Sequence, residues 1–342
     1  MKATMLWALL LAPVSILAQL GGSTSFAALD IPYAPRAAAL GGNNIVVRDG
    51  DLNLALMNPA LLDSLTHQQL SMGYLGYFAG SRAGYASYAH HVDSLATFSA
   101  SVSYLGYGDF DRTDETGQVI GNFTANDFIF SLSGAVPIDT AWTVGASAKF
   151  IYSAVDSYYS TAAALDLGAS YFNPAKRFSA GLVVRNLGVQ FNTYFEEVKE
   201  DLPFQVQLGI AKQFKHAPFR FTIVAENLQT WDLTYSDPNA QVIIDPITGE
   251  VIGDTTWEFG DKLMRHMVFG TEFLLGDNFH ARFGYNYRRR QELKVNDKPG
   301  TAGFSWGFGL RVKRFDVNYT RATYSIAGAT NQLSISTGFT NW

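Results

Sequence analysis

The sequence predicts an all-β protein: a transmembrane antiparallel up-and-down β-barrel of about 14 strands with an N-terminal plug segment. Three observations carry that prediction. The chain opens like an exported protein, with Met1 and Lys2 followed by an apolar run from Leu6 to Leu17. Only 16% of its residues are charged while 14% are aromatic, against about 25% charged in soluble domains. Yet after Ala18 no apolar run reaches the roughly 18 residues of a membrane helix. Backbone groups find no hydrogen-bond partner in lipid, so an exported apolar chain without apolar helices is left with a closed barrel as its spanning structure.

Residues 1–18 are expected to be a Sec-type signal peptide cleaved near Ala18, because the apolar run is too short to anchor the chain as a spanning helix. Residues 19–68 do not alternate. They contain the runs Arg36 to Asn44, with Leu40, Gly41 and Gly42, and Leu56 to Leu62, with Asn58, Pro59 and Ala60. This stretch is too apolar for a solvated tail and is expected to pack inside the barrel as a plug. Asn58 ahead of Pro59 reads as the cap of a short helical turn and not as a ligand site.

Residues 69–342 make the barrel. Alternating segments are expected near 69–79, 82–91, 95–107, 123–136, 141–155, 160–172, 177–188, 203–213, 219–228, 262–275, 279–290, 301–312, 314–325 and 331–341. Trp142, Val144, Phe150 and Tyr152 share one parity and Thr143, Ser147 and Lys149 the other. Likewise Phe219, Phe221 and Ile223 oppose Arg220, Thr222 and Glu226, and Phe279, Phe283, Tyr285 and Tyr287 oppose His280, Arg282, Asn286 and Arg288. An arginine on the lipid side costs roughly 2–4 kcal/mol near the midplane, so the polar parity belongs to the lumen. The last segment alternates through Leu333, Ile335 and Phe339, but Trp342 falls out of phase, which a bulge would correct.

Tight connections at Asp93 and Ser94, Asp139 and Thr140, Asn173 to Ala175, Lys215 to Pro218, Gly276 to Asn278, and Lys313 and Arg314 are expected at the periplasmic end. The longer stretches 108–122, 189–202, 228–261 and 291–300 are expected outside the cell. The stretch after Leu228 is expected to form an extra hairpin, and its Tyr235, Asp237, Pro238, Asp245 and Trp257 are candidate partner contacts. Arg288, Arg289 and Arg290 are candidate contacts to lipopolysaccharide phosphates, although a solvated strand end explains the run equally well.

Little else suggests chemistry. There is no cysteine, hence no disulfide or thiolate site. The net charge of −5 has both signs interspersed, so nucleic acid is not an expected partner. Adjacent His90 and His91 point to opposite faces of a strand and do not chelate together without a bulge. Asp109, Asp111, Asp114 and Glu115 offer oxygen ligands but lack the spacing of a calcium loop. No catalytic residue, metal or cofactor is expected, and the chain is not expected to be an enzyme.

The run Arg36 to Gly42, followed by Asn58 to Leu61 and later by Gly117, Phe123 and Asn126, resembles the PorV/PorQ branch of the fatty-acid-transporter-like (FadL-like) barrels. Gln19 to Gly22, Tyr107 to Asp114, Lys215 to Phe221 and Asn227 to Leu233 look like the PorQ side of that branch. The resemblance implies an outer-membrane component of the type IX secretion system. It would sit in the surface attachment complex beside a PorU sortase, PorV and PorZ, and hold a PorZ-like partner while cargo is attached to lipopolysaccharide. Analogy at the level of fold implies an alternative, an outer-membrane transporter of hydrophobic small molecules. Such a transporter would show an apolar pocket reaching the plug and a wall opening at a kinked strand. A hydrolase would need a catalytic grouping that the sequence lacks.

Overall fold

Alternation governs the whole wall, and the computed structural model shows the outcome for residues 25–77, 80–93, 95–194, 199–234, 243–244, 251–252, 259–293, 300–325 and 328–339. The expected signal peptide and Trp342 lie outside these described residues. The strands are β1 (Gln69–Gly76), β2 (Arg82–Val92), β3 (Ala96–Thr113), β4 (Val119–Pro137), β5 (Trp142–Val155), β6 (Tyr158–Asn173), β7 (Phe178–Asn192), β8 (Gln205–Gln213) and β9 (Phe219–Ala225). After the two-residue strands β10 (Ile243–Ile244) and β11 (Val251–Ile252) come β12 (Met267–Leu275), β13 (Phe279–Asn286), β14 (Phe304–Val312), β15 (Phe315–Ser325) and β16 (Gly328–Gly338).

Fourteen of them close into one barrel, each strand antiparallel to its neighbours, with β1 sealed against β16 from Gln69↔Gly338 to Gly76↔Asn331. The strands β10 and β11 stand apart as a small hairpin, Ile243↔Ile252, within the long stretch where an extra hairpin is expected. No helix among the described residues is long and apolar enough to cross a membrane.

The faces separate as the parity predicts. On β5 the chain exposes Trp142, Val144, Phe150 and Tyr152 and buries Thr143, Ser147, Lys149 and Ser153. On β16 it exposes Leu333 and Ile335 and buries Gln332, Ser334 and Ser336. A wall whose apolar side chains face outward while its serines and glutamines are enclosed is stable in lipid and not in water.

Three expectations about the strands need correcting. The stretch 108–122 is mostly ladder: β3 runs on to Thr113 and β4 begins at Val119, because the pairing resumes after a bulge at Gly106/Asp109. Residues 262–266 belong to the short helix α2 (Phe259–Arg265) and its exit, not to a strand. Arg288, Arg289 and Arg290 do not end a strand; they lie in the helix α3 (Tyr287–Leu293), started where the Asn286 side chain accepts the Arg289 N–H at 2.9 Å.

Residues 25–68 lie against the lumen face. They form short helical turns and one five-residue helix, α1 (Pro35–Ala39), with Pro35 at its first position. Ala34, Ala37, Ala38, Ala39, Leu40, Ile45, Val46, Leu52 and Leu54 are all at most 1% exposed. Backbone oxygens of α1 are taken up by the wall: Ser305 Oγ donates to Ala39 O at 2.9 Å and Thr320 Oγ1 to Pro35 O at 2.6 Å.

Candidate ligand pocket and segment anchor

The N-terminal segment is tied to the wall by charge at the short-turn end. Arg36 of α1 donates from Nε to Glu272 at 2.9 Å and from both terminal nitrogens to Asp49, at 2.8 and 2.9 Å. Its Nη1 also reaches Asp51 at 3.2 Å. Glu272, on β12, stands directly opposite Arg220 of β9 and Arg282 of β13 in the ladder. It accepts from them at 3.0 and 2.9 Å, while Arg220 also donates to Asp49 at 2.7 Å. Three guanidiniums thus meet three carboxylates, and cross-strand register supplies the positions on the wall. Burial raises the Asp49 carboxyl by itself, but Arg36 and Arg220 outweigh it and hold that group well below the usual carboxylate range.

Close backbone approach fixes the next turn. Gly41 and Gly42 have φ of 104° and 114°, open to glycine and strained for other residues. Here the Arg289 guanidinium donates to Gly41 O at 3.2 Å and lies over the Tyr324 ring at 4.2 Å. A Cβ on Gly284 of the wall would meet Gly41 N at 2.1 Å, so wall and segment fit only because both are glycine there. Asn58 caps the turn at Pro59 by accepting the Ala60 N–H at 3.0 Å and donates to Ile45 O at 2.9 Å. Leu40, Gly41, Gly42, Asn58, Pro59 and Ala60 are therefore all interior packing positions.

The long-loop end is built differently. The bulge at Gly106/Asp109 adds one residue to β3, with Gly108 at φ 98°. An added residue flips strand parity, so Phe110 comes round to pair with Phe123 on the lumen side of β4, the rings stacked with centroids 5.3 Å apart. These rings, with Tyr107, Ala125, Val155, Tyr194 and Phe26 of the N-terminal segment, line a cavity of about 350 Å³. Asp127 and Ser153 complete it. Phe26 is held in the left-handed region at φ 61°, a conformation that a bulky residue keeps only where its surroundings fix it. Tyr107 donates to Asp127 at 2.7 Å, Ser153 donates to the other carboxylate oxygen, and Tyr194 donates to Ser153.

The other sequence-derived candidates are dispersed. Tyr235, Asp237, Pro238, Asp245 and Trp257 lie outside the described residues. Arg288 faces Glu226 at 3.5 Å, and Arg290 donates to Gly300 O at 3.1 Å. His67 accepts the His91 N–H at 3.0 Å, and its ring meets that of His90 at 4.8 Å, at the short-turn end. Asp114 bonds the backbone of Thr116 and Gln118, closing the β3–β4 turn. Among the described residues no group of three or more His, Asp or Glu could hold a metal ion. The pocket escaped the sequence because its outer half depends on the bulge; the cluster at Glu272 had a signal, one charge at matching depth on each of three neighbouring lumen faces.

No protein-family model matches the chain, and no curated protein matches it. Solved structures do. The toluene transporter TodX of P. putida superposes with a TM-score of 0.54 at 13% identity, over 91% of this chain and 99% of its own. The toluene transporter TbuX of Ralstonia pickettii gives 0.52 at 11% identity, over 90% and 97%. At such identities the likeness shows the fold alone, the closed antiparallel barrel.

Proposed function

We propose that this chain is an outer-membrane barrel that takes a small apolar molecule into the cavity at its long-loop end, with residues 25–68 acting as the plug. The observation that carries this reading is the cavity itself. Five aromatic rings, Phe26, Tyr107, Phe110, Phe123 and Tyr194, line it, and one of them belongs to the N-terminal segment. Ligand sites are commonly apolar hollows of about 300–1,000 Å³ with a few placed polar groups, and this one fits that description. The two toluene transporters that share the fold handle ligands of the size and polarity such a hollow accepts. Strand β3 shifts register beside the cavity, between Gly106 and Asp109.

Phenethyl alcohol titrated into the purified full-length protein in maltoside micelles, with empty micelles subtracted, should show saturable binding. Phe123→Ala should weaken it by about tenfold, the scale of one lost aromatic contact. No saturable binding, or none that responds to Phe123, would remove the transporter reading.

A second reading is favoured by a separate observation. Asn227 to Leu233, one of the stretches that resembles PorQ, ends in Leu233 with no exposure and presents Trp231 at 49% exposure, its ring 5.2 Å from that of Phe259 at 69%. Such a platform at the foot of residues 235–258 suits a protein partner. In this reading the barrel is a scaffold of a type IX attachment complex that holds a PorZ-like protein near PorU and PorV while cargo reaches lipopolysaccharide. Affinity purification from mild-detergent outer membranes of the host, followed by mass spectrometry, should recover a sortase and a second barrel. Deleting residues 235–255 should release the partner from a folded barrel; recovery of the barrel alone would leave the transporter reading in possession.

A further inference from the structure

We propose that the guest of the aromatic cavity is an organic cation, a small apolar ammonium compound whose charged end meets Asp127. The inference rests on the transporter reading and narrows its substrate class.

Asp127 lines the cavity from the lumen face of β4 and is 2% exposed. Its two bonds come from hydroxyls, Tyr107 and Ser153, and no Lys, Arg or His among the described residues forms an ion pair with it. Every other carboxylate at most 3% exposed on a wall strand or directly following one has a cation. Asp166 has Lys149 at 2.5 Å, Glu226 has Arg288 at 3.5 Å, and Glu272 has three arginines. A buried carboxylate is costly unless a positive charge or strong donors offset it. The hydroxyl donors run one way, Tyr194 to Ser153 to Asp127, so each proton in the chain is already spent toward the carboxylate. An ionised carboxylate has about four lone-pair sites, and two are occupied here. Asp127 lines the cavity together with the residues that carry these hydroxyls, Tyr107, Ser153 and Tyr194.

The walls fit the same guest. Aromatic faces attract ammonium groups, and aromatic hollows are how proteins hold choline-like and methylated ammonium groups. An anionic ligand would lie against Asp127 with no cation among the described residues paired to that carboxylate.

Three probes of one shape separate the possibilities: phenethylamine, phenethyl alcohol and phenylacetate, titrated at pH 7 into the full chain in uncharged maltoside micelles. The expected order is ammonium over alcohol by about tenfold or more, with phenylacetate weakest. Asp127→Asn, checked for folding by heat-modifiable gel migration, should abolish the preference for ammonium over alcohol. Equal binding of ammonium and alcohol, or phenylacetate binding as well as phenethylamine, overturns the cation and leaves the transporter reading intact. A preference that survives in Asp127→Asn also overturns it. If none of the three binds, the transporter reading falls and the cation with it. The order among the probes is measured on the unmodified protein, so the inference is tested even where the variant fails to fold.

Discussion

The two ends of the N-terminal segment meet the same wall on opposite terms. At the short-turn end Arg36 enters a cluster in which three guanidiniums and three carboxylates cancel. At the long-loop end Phe26 lines a hollow beside a carboxylate that forms no ion pair among the described residues. One end is saturated and the other is left with capacity to bind. The difference teaches that burial of charge in this barrel is not one phenomenon: with partners it fastens the chain to itself, and without them it reserves a site.

That contrast is broken most forcefully by removing one charge from each end. Arg36→Ala leaves Glu272 and two aspartates facing two arginines in an enclosed site, and breaking a buried pair in this way costs about 3–5 kcal/mol. Hydrogen exchange across residues 35–62 should accelerate strongly. Asp127→Asn, with no ligand present, should leave that exchange unchanged and the denaturation midpoint equal or higher, because it deletes a buried charge held by hydroxyls and by no cation among the described residues. A loss of stability in Asp127→Asn as large as in Arg36→Ala would mean that the two ends are bound alike.

The comparison also marks how far the sequence could be followed. Strand number and face assignment rest on alternation and composition, which are local and survive in any register. The union of Arg36 with Glu272 joins residues far apart in the chain, and only ring closure brings α1 against β12. The hollow needs more still. Phe110 reads as a lipid-facing residue if the parity of Val102 and Tyr104 is continued, and a single extra residue near Gly108 reverses it. Bulges leave weak traces in one sequence, and a glycine with positive φ is visible only in the fold. The arginine run failed for a related reason: alternation was continued through Tyr287, where Asn286 instead caps a helix.

A smaller effect sharpens the fit between segment and wall. Gly284→Ala places a methyl group where Gly41 N and Leu40 C already lie, at 2.1 and 2.4 Å. Neither is a flexible side-chain end, so the segment must shift, at a cost of about 1–3 kcal/mol. Gly121→Ala, on β4 where an added Cβ meets nothing within 4 Å, should change stability by no more than about 0.5 kcal/mol. Denaturant titration of both variants in lipid vesicles decides the matter; equal midpoints would show that residues 40–41 do not touch the wall at Gly284.

The smallest expected effect is the flat pH response of the saturated end. The Asp49 carboxyl has an ordinary pKa of 3.8, and Arg36 and Arg220 hold it far below that in the folded chain despite the opposing effect of burial. A carboxyl depressed in the folded state binds fewer protons there than in the unfolded chain. Its contribution is therefore fully present above the ordinary value and is lost only as pH falls through the depressed one. Exchange rates across residues 35–62, corrected for intrinsic chemistry, should not change between pH 8 and pH 5 and should rise only in stronger acid, by about pH 4 and below. Asp49→Asn should make that acid limb shallower, since the variant has one carboxyl fewer to protonate, while leaving the plateau flat. A midpoint between pH 5 and pH 8 would show that the cluster is not closed.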